Sequence, residues 1–265
     1  MEIGKFLSLK DFFNYYVAGS IWLIDLFLIV ISLPNKSNIL ALFGAIPLNN
    51  TIAQTIILGI LTLVFPYTVG FVLSDIGGFI TGVLYKWFGN PYKWVADHKD
   101  KRFDKRHLSL PVIKKIASLS NNIFGFDVDK FIEKPELYFF QIRAYITNKD
   151  APASNLAARS IDLANFAESL LIPFPLTASL TIYHLIPSII SSITGQQINE
   201  GFLLTIKIIA SIAAFIFSFL LIVNRHLRLK EYWVKHVYRA FVVLATSDIQ
   251  EKTKKIEKVS EEKSK

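Results

Sequence analysis

The sequence predicts an all-α, polytopic helical membrane protein: about four transmembrane helices in two hairpins, with a mostly helical cytoplasmic lobe. Three observations carry this. Hydrophobic residues make up 52% of the 265 and the mean hydropathy is +0.41, too apolar for an ordinary soluble domain. Four apolar runs approach the roughly 20 residues that a helix of 1.5 Å rise needs to cross hydrocarbon. The charge is concentrated in two segments, one between the second and third runs and one after the fourth.

The elements follow in order. Residues 17–33 form the first span, short alone but extended through the interface by residues 12–16. Residues 52–73 form the second, with a glycine-rich apolar extension to 84. Residues 170–193 form the third, where Pro173, Pro175 and Pro187 predict a kinked or partly re-entrant helix, tolerated only where protein or water satisfies the freed backbone groups. Whether that stretch spans fully or breaks at a proline stays open. Residues 202–223 form the fourth. The resulting organisation is a transmembrane hairpin over 1–85, a cytoplasmic helical lobe over 86–167, a second hairpin over 168–224, and a basic helix with a charged tail over 225–265.

Lys/Arg bias sets the orientation. Residues 86–167 hold 14 Lys and Arg against 9 Asp and Glu, and residues 224–265 hold 11 against 6. The short connectors carry almost no charge. Both termini and the lobe are therefore expected in the cytoplasm of a bacterial cell, with the chain multi-pass in the inner membrane. Phe12, Tyr15, Tyr16, Tyr85, Trp87, Trp94, Tyr232 and Trp233 fall near the predicted inner ends, as an interfacial aromatic belt would. The net charge of +8 then reads first as topology and contact with anionic lipid. No cleavable signal is expected, because the early charge is thin and the first apolar run contains Asp25. The absence of cysteine excludes disulfides, thiolate metal sites and cysteine nucleophiles.

Within the lobe, residues 110–123 have helical apolar spacing and start around Pro111, and 121–125 read as a stop. Asp127 opens a short turn, and Pro135 starts a helix through Tyr145. Residues 155–171 are predicted to run unbroken into the third span. After Leu227 a helix with an apolar stripe (Tyr232, Trp233, Val237, Phe241, Leu244) lies on the membrane or packs against a neighbour, and the Lys/Glu-rich end from 252 frays.

Polar residues inside the apolar runs carry the functional reading. Asp25 sits in the middle of the first run. A carboxylate in hydrocarbon is costly, by about 3 kcal/mol on insertion scales, and usually faces a bundle interior or a watery path. His184 lies at comparable depth in the third span, so the two are expected to meet, either as a pore-lining or gating pair or as a hydrogen bond inside the bundle. Asp75 lies at the inner third of the second stretch. Beside it Ser74, Gly78 and Gly82 form a small-xxx-small face, and Ala210, Ala214 and Ser218 form another. Asp25, Asp75 and His184 are thus the pore or gate candidates.

Residues 99–107 read Lys-Asp-Lys-Arg-Phe-Asp-Lys-Arg-His. Basic residues interleaved with aromatics hold phosphates and stack bases, which makes Trp94, His98, Lys101, Arg102, Lys105, Arg106 and His107 the ligand-binding candidates. A solvated juxtamembrane face touching lipid phosphates is the other reading. Arg102 and His107 also match an Arg-x4-His nuclease spacing, which is short and common by chance. The interleaved cations argue against a metal cluster. No phosphate-binding loop, dinucleotide fingerprint, Gly-x-Ser-x-Gly or HExxH motif is present, so no catalytic residue, cofactor or metal is assigned and an enzyme is not expected.

The Phe12-Phe13-Asn14-Tyr15-Tyr16 start of span one, the Ala158-Arg159 and Phe166-Ala167-Glu168 run before span three, and the overall plan resemble small multi-span effectors of bacterial phage-defence systems, the Hailong-type membrane effector in particular. The resemblance is architectural and covers most of the chain. It implies a homo-oligomeric channel, closed at rest, opened by a nucleotide-derived signal from a partner nucleotidyltransferase. A small secondary transporter using Asp25 and His184, and a membrane scaffold that recruits a soluble partner, are the competing expectations.

Overall fold

A computed structural model describes residues 12–32, 59–96, 108–149, 152–194 and 199–263. Every described element is helical. A π-helical turn (Phe12–Val17) leads into α1 (Ala18–Ser32), and a second (Ile60–Val64) into α2 (Phe65–Phe88). Then come α3 (Pro91–Ala96), α4 (Leu110–Phe124), α5 (Val128–Glu133), a 3-10 turn (Pro135–Tyr138), α6 (Phe139–Thr147), α7 (Pro152–Ser169), α8 (Pro173–Thr194) and α9 (Glu200–Lys263). Among the described residues three helices are long and apolar enough to cross a membrane, Thr62–Phe88, Pro173–Ile193 and Glu200–Glu257. The apolar helix Asn14–Val30 is shorter. The expected start of the second span, 52–58, lies outside the described residues.

The chain forms two compact units, Met1–Gly82 with Ala164–His226, and Val83–Leu163 with Leu227–Lys265. The boundaries fall inside α2, α7 and α9.

In the first unit α1 packs on α2 and α8. The α1–α2 crossing is a backbone contact. A Cβ built on Gly70 would lie 1.7 Å from the Tyr15 carbonyl oxygen, and one on Gly19 would lie 1.8 Å from that of Pro66. Tyr15 closes the crossing with its ring 5.5 Å from both Tyr67 and Phe71. Further along α2, a Cβ on Gly77 would lie 2.4 Å from the Glu168 carbonyl oxygen of α7. The buried face of α2 is therefore Pro66, Gly70, Leu73, Gly77 and Thr81. The expected Ser74–Gly78–Gly82 face is displaced from it. A Cβ at Gly82 would meet nothing within 4 Å. Both sets have helical spacing, and the tight backbone approaches select the first.

Three expectations about continuity change. The helix predicted to run from 155 through 171 into span three ends at Ser169, and α8 starts afresh at Pro173. Pro173 lacks an N–H, and residues 170–172 form a turn that keeps backbone hydrogen bonds, Leu171 N–H to the Glu168 carbonyl and Phe174 N–H to the Leu170 carbonyl, each at 3.2 Å. Pro187, by contrast, sits inside α8. Span four and the basic helix are one helix, α9, that continues to Lys263 in place of a frayed tail. Its Lys/Glu composition favours helix, and Glu251 and Lys255 pair at 2.7 Å one turn apart.

The second unit has its own core of Val95, Ile113, Ile116, Phe131, Phe139, Ile142, Trp233, Val237, Tyr238 and Phe241. Local signals frame it. Asp127 caps α5 by accepting from the N–H groups of Asp129 and Lys130. Gly125 closes α4 with φ +73°, a left-handed conformation suited to glycine. Trp233 is buried there, edge-on to Tyr92 and Phe139, so it does not belong to an interfacial belt. Val237 and Phe241 of the expected membrane-facing stripe are buried with it, while Tyr232 stays exposed.

The close crossing yields a direct prediction. Gly70→Ala forces a methyl group into the Tyr15 carbonyl and should destabilise the protein by about 1–3 kcal/mol, the usual range for overpacking. Gly82→Ala, on open surface, should leave the melting temperature in detergent unchanged. Equal melting of the two variants would show that the crossing is not close.

Candidate functional site

Three polar arrangements in the first unit bear on function. The first is Asp25. Its side chain is fully buried, held by the packing of α1 on α8. Thr177 Oγ1 lies 2.6 Å from Asp25 Oδ1 and 2.9 Å from the Pro173 carbonyl oxygen. A hydroxyl has one proton, so Thr177 donates either to an ionised Asp25 or to Pro173 while accepting from a neutral one. Asp25 Oδ2 has no hydrogen-bond partner among the described residues. The arrangement joins two apolar helices through a polar contact and fixes their rotation and axial register.

His184 is not the partner of Asp25. It lies seven residues beyond Thr177 on the same helix, about 10 Å at 1.5 Å per residue. It is half-buried, and its ring stands edge-on to Tyr183 at 5.6 Å. Tyr183 in turn receives the ammonium of Lys207 of α9 at 5.0 Å from its ring centre, a cation–π contact that ties α8 to α9.

The second arrangement is Asp75. It lies thirteen residues from either end of the described apolar helix Thr62–Phe88; the expected start of the stretch, 52–58, lies outside the described residues. It is exposed, with no hydrogen bond or ion pair to any described residue. At 3.6 residues per turn it lies on the side of α2 opposite Gly70, Leu73 and Gly77. Its neighbours on that surface are Phe71, Val72, Ile76 and Phe79, all exposed.

The third arrangement was not foreseen in the sequence. The end of α7 is enclosed, with Ala164, Ala167 and Ser169 buried. His226 of α9 is 1% exposed. Its Nδ1 lies 3.0 Å from the Ala164 carbonyl oxygen and 3.9 Å from a carboxylate oxygen of Glu168. With Gly77 against the Glu168 backbone, these contacts join α2, α7 and α9. His226 stands between Arg225 and Arg228 at the start of the expected basic helix, where it read as one more cation and not as a buried contact.

Of the ligand-binding candidates, Trp94 lies in α3. His98, Lys101, Arg102, Lys105, Arg106 and His107 lie outside the described residues. The second unit has a polar contact of its own. The Tyr145 hydroxyl donates to Asp248 of α9, which also takes Lys149 Nζ at 2.7 Å. Burial and the adjacent carboxylate push the Tyr145 phenol above its ordinary value, so it remains a donor. Among the described residues no group of three or more His, Cys, Asp or Glu could hold a metal ion.

No family model matches this chain, and neither a curated protein nor a solved structure is similar to it. The geometry alone defines the class, a helical protein with membrane-length apolar helices, one of which, Thr62–Phe88, carries an exposed carboxylate, Asp75.

The Asp25–Thr177 contact is expected to be structural. Thr177→Val removes the only hydrogen bond that Asp25 makes to a described residue, and Asp25→Ala removes it from the other side. A double-mutant cycle on thermal stability should give a coupling of roughly 0.6–1.7 kcal/mol, the span measured for interhelical hydrogen bonds in membranes. Additive effects would show that the two side chains do not interact.

Proposed function

We propose that the chain is the subunit of a homo-oligomeric inner-membrane pore, gated by an anionic, nucleotide-type ligand on its cytoplasmic lobe and acting as a defence effector that breaches the membrane barrier. Asp75 is the observation that carries the reading. In a lone subunit an exposed carboxylate within a 27-residue apolar helix would face hydrocarbon, at a cost of about 3 kcal/mol or more. Several copies arranged around an axis relieve that cost, because the same face of each then meets water. Asp25 serves within the subunit, holding α1 on α8.

Two further features support assembly. Beside the Asp75 surface, an open groove of about 290 Å³ is lined by Trp22, Thr68, Val69, Val72, Leu73 and Ile76, an apolar seat for a helix of the next copy. The outer surface of the span-forming part of α9 is apolar, with Phe202, Ile209, Ile212, Ile216 and Phe217 exposed, as lipid contact requires. The gating part of the proposal rests on the basic segment 99–107. Its mechanical link is α9, one unbroken helix that carries residues of both compact units. The segment before span three, the link first assigned, passes into that span through the hydrogen-bonded turn 170–172. A carrier using Asp25 and His184 is the second reading; in it the two side chains act apart, because Asp25 bonds to Thr177, about two turns of α8 from His184.

The mass of the full chain in lipid nanodiscs checks the assembly. A discrete multiple of 30.1 kDa, with ionic current from the same particles once a mixture of nucleotides is added, is the expected outcome. A 30.1 kDa particle without current would overturn the proposal.

A further inference from the structure

The exposed face of α2 carries both charged side chains of the helix, Asp75 and Lys86, on a single line. Thr68, Asp75 and Gly82 recur every seven residues and Lys86 follows one turn later, all of them exposed. At about 100° per residue these four positions fall within an arc of roughly 40°. Val72 and Phe79 lie on the same line, and Phe79 is 74% exposed. The rest of the outward surface of this helix is apolar, with Phe71, Ile76 and Val83 exposed. A helix facing only lipid has no reason to gather its charged groups on one line.

We infer that this line is the wall of the permeation path and that Asp75 makes the path selective for inorganic cations over anions. The inference rests on the pore reading above and adds the permeant class. Its basis is position. Asp75 lies within the apolar helix Thr62–Phe88, thirteen residues or about 20 Å from its Phe88 end, away from bulk water, where a charge acts strongly on a passing ion. Phe79, one turn away on the same line, brings a large ring into the path and narrows it beside the carboxylate. Lys86 has the opposite sign but lies in the last turn. It is eleven residues from Asp75, about 16 Å, which is beyond a Debye length of about 8 Å at physiological salt. The Asp75 carboxylate therefore sets the sign of selectivity. Gly82, without a side chain, leaves the path open on the Lys86 side, while Thr68, whose hydroxyl donates to the Val64 carbonyl oxygen, borders the apolar groove.

The test uses the full chain in planar bilayers under a potassium chloride gradient, with a mixture of nucleotides added to open the pore. The wild-type reversal potential should lie near that of potassium, with cations favoured by about tenfold, a ratio that a small part of the Coulomb energy of one charge at ~4 Å supplies. Asp75→Glu should keep it. Asp75→Asn, of nearly the same shape, should bring the ratio close to one, and Asp75→Lys should shift the potential toward that of chloride. Lys86→Gln should leave the sign unchanged. A wild-type current that favours chloride, or a ratio identical in wild type and Asp75→Asn, overturns this inference while the pore stands. No current from the wild type, with a mass of one subunit, overturns the pore and the inference together.

Discussion

The contact of backbones at Gly70 fixes the rotation of α2, and the rest of the first unit depends on that rotation. With no side chain at Gly19 or Gly70, α1 and α2 meet at their main chains. Gly77 repeats the arrangement against α7. Once those two glycines face inward, Leu73 and Thr81 are buried with them, and Asp75 is turned out. Lipid supplies no hydrophobic drive for helix association, so close packing and polar contacts must hold such helices together. The glycine crossing supplies the first and Asp25 with Thr177 the second.

The two carboxylates of the apolar helices are thus used in opposite ways. Asp25 is enclosed and bonded to a hydroxyl, where it specifies one pairing of α1 with α8. Asp75 is exposed and bonded to no described residue, where it makes an isolated subunit unfavourable in lipid. A buried polar contact of the first kind can persist in a monomer. An outward charge of the second kind asks for water, and within a membrane water comes with an enclosure. That is why Asp75, and not the more conspicuous Asp25, carries the functional proposal.

Much of this was legible in the sequence. The all-helical class and the apolar helices follow from hydropathy, and the caps of the lobe from Pro111, Gly125 and Asp127. The importance of Asp25 and Asp75 followed from the cost of a charge in an apolar run. What they face was not legible. Thr177 is an ordinary threonine in an apolar stretch, and only the approach of α1 marks it. Ser74–Gly78–Gly82 and Gly70–Gly77 interleave on one helix, and spacing alone cannot choose between them. His226 became visible only where the end of α7 meets α9. Pro173 was recognised as a helix disruptor but read as a kink within a span, whereas it starts the helix. The Trp233 ring sits at the boundary expected of an interfacial anchor, yet the local core of the second unit encloses it.

The central claim is that the Asp75 face of α2 meets water and other copies of itself. The chain has no cysteine, so a single spin label at Gly82→Cys, on the same line one turn from Lys86, reports on that face directly. In lipid vesicles the label should show dipolar broadening from neighbouring copies, and should collide with a water-soluble nickel reagent more readily than with oxygen. A label that is magnetically isolated and accessible chiefly to oxygen would place this face in lipid and contradict the account.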